Sequence, residues 1–223
     1  DATNIITPLV SVITNIGLDH REYLGNHIIA IAKEKAGIIK AGVDVATGVT
    51  QPTVIRLFKA LAKEKRSPFW RLGRHVRYRR KPSGLLGYYG FKKRYGDLKI
   101  GLKGQFQFRN AALALLTLEI LERKGLTILD EAVRSGLADP LWPGRLEVIS
   151  SNPTIILDGA HNPSAMRSLA GAIRRDSDFR DLIVVLGVLG DKDISNILKE
   201  IVPLASKVIY TKAAYERAAS PQV

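Results

Sequence analysis

Residues 153–163, PTIILDGAHNP, decide how the chain is to be read. Thr154 to Leu157 have the β-branched and aliphatic make-up of a buried strand, which runs out into a turn offering Asp158, His161 and Asn162 together. Pro163 is placed to open a helix, and Ser164 to Arg175 keep a helical pattern. A strand, a turn of small residues and a helix, in that order, is how an α/β protein opens a ligand crevice at the carboxyl end of a strand. Helix capping would account for Asp158 alone, and an ordinary turn for His161 alone. An acid, an imidazole and an amide within five residues exceed what a turn requires.

Working outward, strands are expected at about 145–149, 154–158, 182–187 and 206–211, with helices at 163–175 and 192–202. That alternation implies a mostly parallel sheet. Upstream, LVSVITNI at 9–16 reads as a buried strand, followed by a loop through Gly25 and a helix over 27–40. DVATGV at 44–49 is a second strand, and 52–65 suits a helix with Pro52 near its start. Between 69 and 103, glycines, prolines and alternating aromatic or aliphatic residues suggest short antiparallel strands, and a strong helix follows over 107–124. ADPLWPG at 138–144 reads as a connector, which divides the chain into domains 1–140 and 141–223.

With 223 residues and 46% hydrophobic content, the chain can bury one large core or two small ones. No run approaches the roughly 18 apolar residues of a membrane span, and no basic-then-apolar leader is seen at the start. The lack of cysteine excludes disulfides and thiolate metal sites and agrees with a cytoplasmic protein. The net charge of +13 is local. Residues 56–103 hold 16 Lys and Arg against Glu64 and Asp97, whereas the other 175 residues hold 18 basic and 19 acidic side chains. Seven aromatics interleave with the charges in that segment, from Phe69 to Tyr95, a mixture that can also stack on bases.

Several stretches resemble one family in the right order. DATN at 1–4, the Asp19-His20 pair, EKAGI at 34–38, GQFQFRNA at 104–111, PGRLE at 143–147 and LDGAHNP at 157–163 are similar to signatures of the folylpolyglutamate synthase and dihydrofolate synthase family, relatives of the peptidoglycan Mur ligases. GVLGDKD at 187–193 and ERA at 216–218 resemble later signatures, with Asp191 and Lys192 in supporting roles. The resemblance implies that residues 1–140 are the later part of a P-loop-type central ATPase domain, and that 141–223 form a Rossmann-like ligase domain, incomplete at its end. It implies a magnesium ligand at His20 and a carbamylated lysine at Lys35. Asn110 would lie at the adenine of ATP, Arg145 and Asp158 would contact the nucleotide, His161 would approach the transferred phosphoryl group, and Asp1 and Ala2 would line the pterin pocket. Phe106 stands where the family commonly has histidine. The glycine-rich phosphate loop and the second magnesium ligand would precede Asp1, so a fragment, inactive by itself, is expected.

The chemistry suits these residue types. A lysine captures carbon dioxide only as the neutral amine, which burial favours, and the carbamate formed is an oxygen donor of the kind Mg2+ prefers. An arginine meets phosphate oxygens with a fixed fork of donors and keeps its charge. The expected activity is therefore ATP-dependent ligation of L-glutamate to a folate or dihydropteroate carboxylate through an acyl phosphate, by a monomer, with domain closure about 138–144. Two other readings compete: a Mur-type cell-wall ligase, which DATN and EKAGI disfavour, and nucleic-acid binding through residues 66–95. The second is disfavoured because a charge run is usually a solvated face and alternating aromatics are usually sheet packing.

Overall fold

A computed structural model describes residues 2–17, 28–176 and 179–222. The described residues divide into two compact units, 2–17 with 28–141 and 142–222.

In the first unit a 3-10 turn at Ala2–Ile5 precedes strand β1 (Val10–Ile13). Helix α1 (Ile28–Lys35) tightens into a 3-10 turn at Ala36–Ile38, so the expected helix over 27–40 is shorter than its pattern. Strand β2 (Asp44–Thr47), helix α2 (Pro52–Glu64) and strand β3 (Phe69–Arg71) follow. The strands form a parallel sheet in the order β1-β2-β3, and every residue of the central strand β2 is buried. Pro52 opens α2, where its missing N–H costs nothing, and Val54, Phe58 and Ala62 repeat at intervals of four to form the buried face.

Strands β4 (Arg77–Arg80), β5 (Leu86–Tyr89) and β6 (Arg94–Leu98) form a separate antiparallel sheet. The antiparallel expectation for 69–103 fails at β3, because α2 supplies the crossover that lets β3 join β2 in parallel. Helix α3 (Phe106–Arg123) packs against both sheets and is buried on more than one side by Ala111, Ala112, Leu115, Leu116 and Ile120. Helix α4 (Asp130–Ala138), to which the sequence reading gives no bounds, adds Val133 to the same core.

Glu119, on α3, is buried among these apolar side chains. Its carboxylate accepts the Tyr88 hydroxyl at 2.6 Å and the Lys92 and Lys93 amides at 2.6 and 3.3 Å. It thereby ties the β5–β6 turn to the helix. Gly90 is required at that turn, since a Cβ there would overlap the Glu119 carboxylate.

The second unit begins with a hairpin, β7 (Glu147–Ser151) and β8 (Thr154–Leu157). Helix α5 (Pro163–Asp176), strand β9 (Ile183–Leu186), helix α6 (Ile194–Ile201) and strand β10 (Lys207–Tyr210) follow. β9 and β10 pair in parallel, as strand and helix alternation implies. The pair β7–β8 is antiparallel because only Asn152 and Pro153 separate its strands, too few for a crossover. The expectation of a buried strand at 154–157 also fails: Ile155 and Leu157 are exposed, as β8 hydrogen-bonds to β7 alone among the described residues. Met166, Ala170 and Ile173 of α5 and Ile197 and Ile201 of α6 build this unit's core against Val184 and Leu186.

Two predictions follow from the first core. Glu119→Ala leaves a buried hydroxyl and two amides without their acceptor and should lower stability by about 3 kcal/mol, read from the urea midpoint; a loss below about 1 kcal/mol would refute the clamp. Burial and the hydrogen bond to Glu119 raise the Tyr88 pKa, while burial and the hydrogen bond to Asp130 push Tyr95 up to about 12. Both groups hold their protons more tightly folded than unfolded, so their contribution is complete below about pH 10 and is lost as pH rises beyond it. Spectroscopic titration of the phenols should show Tyr88 and Tyr95 ionising above the ordinary tyrosine range.

Candidate functional site

In the second unit the PGRLE and LDGAHNP stretches meet. Gly144 and Leu146 both take positive φ, 69° and 49°, a conformation unusual for a leucine. Leu146 is nonetheless only 6% exposed. It is held there by Asp158, whose Oδ2 accepts the Leu146 amide at 2.9 Å while Oδ1 accepts the Ala160 amide at 2.9 Å. Gly159 donates to the Gly144 carbonyl at 2.9 Å, and Glu147 accepts the Gly144 amide at 2.8 Å. The left-handed backbone at Leu146 starts β7 at Glu147, two residues later than its pattern suggests.

This double turn fixes Arg145. Its side chain lies over Gly159, where a Cβ would come within 2.6 Å of Nη1, and it is otherwise exposed. His161 is exposed, with Nδ1 2.8 Å from the Gly159 carbonyl. A carbonyl oxygen only accepts, so a proton is assigned to Nδ1, and in the neutral ring Nε2 is the nitrogen with the lone pair. Asn162 caps α5 by accepting the Ala165 amide at 2.9 Å. The structure thus brings Arg145, Asp158 and His161 together, and Asp158 has a positioning task that the sequence did not reveal.

The GVLGDKD and ERA stretches also meet. Gly190 donates to the Arg217 carbonyl at 2.9 Å, and Asp191 Oδ2 lies 3.2 Å from Lys192 and 3.4 Å from Arg217. Burial pushes the Asp191 carboxyl up, but the hydrogen bond and charge of Lys192, with the charge of Arg217, outweigh it and hold it below the usual range.

In the first unit, Asn110 is exposed on the first turns of α3 and donates to Gln107 Oε1 at 2.9 Å, so its amide is oriented by a buried neighbour. Arg109 beside it donates to the Gly48 carbonyl, just past β2, and Gln51 donates to Ile16 O at 2.8 Å, just past β1. The first contact ties the start of α3 to the carboxyl end of β2, and the second ties the start of α2 to that of β1. Neither Arg109 nor Gln51 stood out in the sequence, although Arg109 adjoins Asn110. Lys35 ends α1, half-buried, and no hydrogen bond links it to Asn110. The DATN and EKAGI stretches do meet: Lys40 donates to Asn4 O and Oδ1 at 2.5 and 2.6 Å, and a Cβ at Gly37 would lie 2.8 Å from Asn4 Nδ2. Asp1, Asp19, His20 and the side chain of Ala2 lie outside the described residues. Among those described, no three His, Asp or Glu side chains gather to hold a metal ion.

Residues 144–223 match the family model described as Mur ligase, glutamate ligase domain. The chain is 38% identical over 223 aligned residues to the dihydrofolate synthase/folylpolyglutamate synthase of Bacillus subtilis, covering 98% of this chain and 52% of the relative. The chain is thus homologous to folylpolyglutamate and dihydrofolate synthases, and its residues 144–223 carry the Mur ligase glutamate ligase domain. Its fold agrees: the Mycobacterium tuberculosis folylpolyglutamate synthase complexed with ADP superimposes with a TM-score of 0.90 at 36% identity, over 100% of this chain and 51% of that one. E. coli FolC in complex with DHPP and ADP gives 0.88 at 30% identity, likewise over 100% and 51%. The chain therefore spans about half the length of the relatives it matches. No described helix is long and apolar enough to cross a membrane.

Asp158→Ala removes the acceptor from two amides and the restraint on Leu146. Hydrogen exchange at the Leu146 and Ala160 amides should quicken at least about tenfold, with a stability loss of about 2 kcal/mol. Unchanged protection at both amides would show that the turn does not depend on the carboxylate.

Proposed function

We propose that this chain supplies the later part of an ATP-dependent ligase that joins L-glutamate to a folate or dihydropteroate carboxylate. The observation that carries the proposal is the double turn at 144–161, which presents an exposed Arg145 on a backbone clamped by Asp158. A relative is named dihydrofolate synthase/folylpolyglutamate synthase, and several of the matching structures hold ADP.

In this reading a carboxylate oxygen of the acceptor attacks the γ-phosphorus of ATP and displaces ADP. The amine of glutamate then attacks the acyl phosphate carbonyl, loses a proton and expels phosphate. Both steps gather negative charge on phosphate oxygens, and the protein's contribution is mostly placement and neutralisation. Arg145 provides a bidentate donor of permanent charge there, with its backbone set before substrate arrives. Asp158 acts in this scheme chiefly through that backbone. Asn110, its amide oriented by Gln107, reads the adenine edge, and the lone pair on Nε2 of His161 is available to a proton near the transferred group. Asp1 and Ala2 would line the pterin pocket.

A carbamylated Lys35 fits its place at the end of α1, partly screened from water yet not sealed from carbon dioxide. With His20 it would hold Mg2+, whose charge would offset that of the phosphates. A cytoplasmic monomer is in keeping with this role. Nucleic-acid binding has weaker support, because the aromatics of the basic segment are already engaged: Tyr88 and Tyr95 are buried, and Trp70 stacks on Phe91 at 4.9 Å beneath Arg123.

Labelled-glutamate incorporation by the intact protein with Mg-ATP, offered dihydropteroate and tetrahydrofolate separately, tests the reading. Arg145→Ala should lower kcat/KM by about 10²- to 10³-fold, the scale of losing one transition-state donor. Asn110→Ala should raise the KM for ATP with little change in kcat. Ligation of neither acceptor by the intact protein, or full activity in Arg145→Ala, would overturn it.

A further inference from the structure

The basic segment is not spread evenly over the first unit. Pairing in the β4–β5–β6 sheet sets Arg77 opposite Tyr89, Tyr89 opposite Arg94, and Arg79 opposite Gly87, so these residues share one face. The opposite face, with Tyr78, Tyr88 and Tyr95, packs on the core around α3. The outward face is therefore cationic. Gly87 and Gly96 keep it flat, and Lys81 reaches across it to within 3.7 Å of where a Gly96 Cβ would stand. Asp97 is the only acid in the three strands, and it is paired with Arg134 at 3.2 Å. Among the described residues no carboxylate pairs with Arg77, Arg79 or Arg94.

Arg80, next along β4, turns to the other face with Tyr78, and its guanidinium lies 5.5 Å from the Phe108 ring in the first turn of α3.

We propose that this face binds the γ-linked polyglutamate tail of the ligase's acceptor or product, an inference that rests on the ligase reading. The tail is a flexible polycarboxylate with one free carboxylate per residue. Arg77 and Arg79 stand two strand residues apart, roughly 6.6 Å. An extended γ-linked chain, with two more methylenes than an α-peptide, repeats at roughly 6 Å. Carboxylates on such a chain can meet successive guanidiniums. A nucleic acid would want open rings to stack on, yet on this face the one ring, Tyr89, has the Arg79 guanidinium 5.9 Å from its centroid.

The test uses the intact protein and labelled γ-linked hexaglutamate. Two charge-matched triple variants are compared: Arg77→Ala/Arg79→Ala/Arg94→Ala on the sheet, and Arg56→Ala/Lys59→Ala/Lys63→Ala on the exposed side of α2. The sheet variant should weaken hexaglutamate binding by on the order of tenfold, the combined scale of three exposed ion pairs, while the α2 variant binds nearly as the parent does. The sheet variant should also raise KM for acceptors bearing five glutamates and leave a monoglutamate acceptor unaffected, which confirms that it folds. Equal weakening by both variants would reduce the effect to net charge and overturn the proposal, as would no hexaglutamate binding by the parent. Tighter binding of a charge-matched oligouridylate, lost in the sheet variant, would assign the face to nucleic acid instead. Hexaglutamate binding that maps to the sheet in a protein that ligates no glutamate would sustain the surface site and remove the ligase reading.

Discussion

Helix α3 must bury two sides at once, and the first unit is arranged to let it. A helix with one apolar stripe needs one partner, whereas α3 has Ala111, Leu115, Ala112, Leu116 and Ile120 in the core and so needs both the parallel sheet β1–β3 and the antiparallel sheet β4–β6. The cost of that arrangement is a polar group in the middle of it. Glu119 is tolerated because three donors converge on its carboxylate, and the same contacts fix the β5–β6 turn and therefore the sheet's placement. The first turns of this helix hold Asn110, oriented by the buried Gln107. Core packing and the orientation of the Asn110 amide are one problem in this unit.

The second unit solves a different problem, that of holding a short polar turn still without much core. Its hairpin β7–β8 leaves Val148, Ile149, Ile155 and Leu157 exposed, so apolar burial contributes little rigidity there. Rigidity comes instead from hydrogen bonds that close small rings: Asp158 to two amides, Glu147 to Gly144, and Gly159 to Gly144. Leu146 in the left-handed region is the mark of that restraint, since an unheld leucine would relax out of it.

Much of this was legible in the sequence, and the failures have physical causes. Helices such as α2 and α5 announce themselves by a proline at the first turn and apolar spacing of three and four. Pairing partners do not announce themselves: β3 and β4 are both short, charged and aromatic, and only the intervening helix decides that one is parallel and the other antiparallel. The burial of Thr154–Leu157 was misread because an apolar run reports what a strand could bury, not what lies beside it. Arg145, Asp158 and His161 in the second unit, and Asn110 in the first, could be picked out as candidates because short stretches carry them. Glu119, Gln51 and Arg109 could not, because their partners are 26 to 61 residues away in sequence.

Strand β4 is an edge of its sheet, with β5 on one side and, among the described residues, no partner strand on the other. An edge offers unpaired amides and carbonyls to any extended chain, its own kind included. Three arginines in the four residues of β4 make it a poor template for a second copy, because like charges would be stacked at strand spacing. The arginines therefore keep molecules of this protein apart at high concentration, whatever anion they attract. A version that traded them for neutral side chains would gain a sticky edge, and its solubility would fall before its fold was harmed.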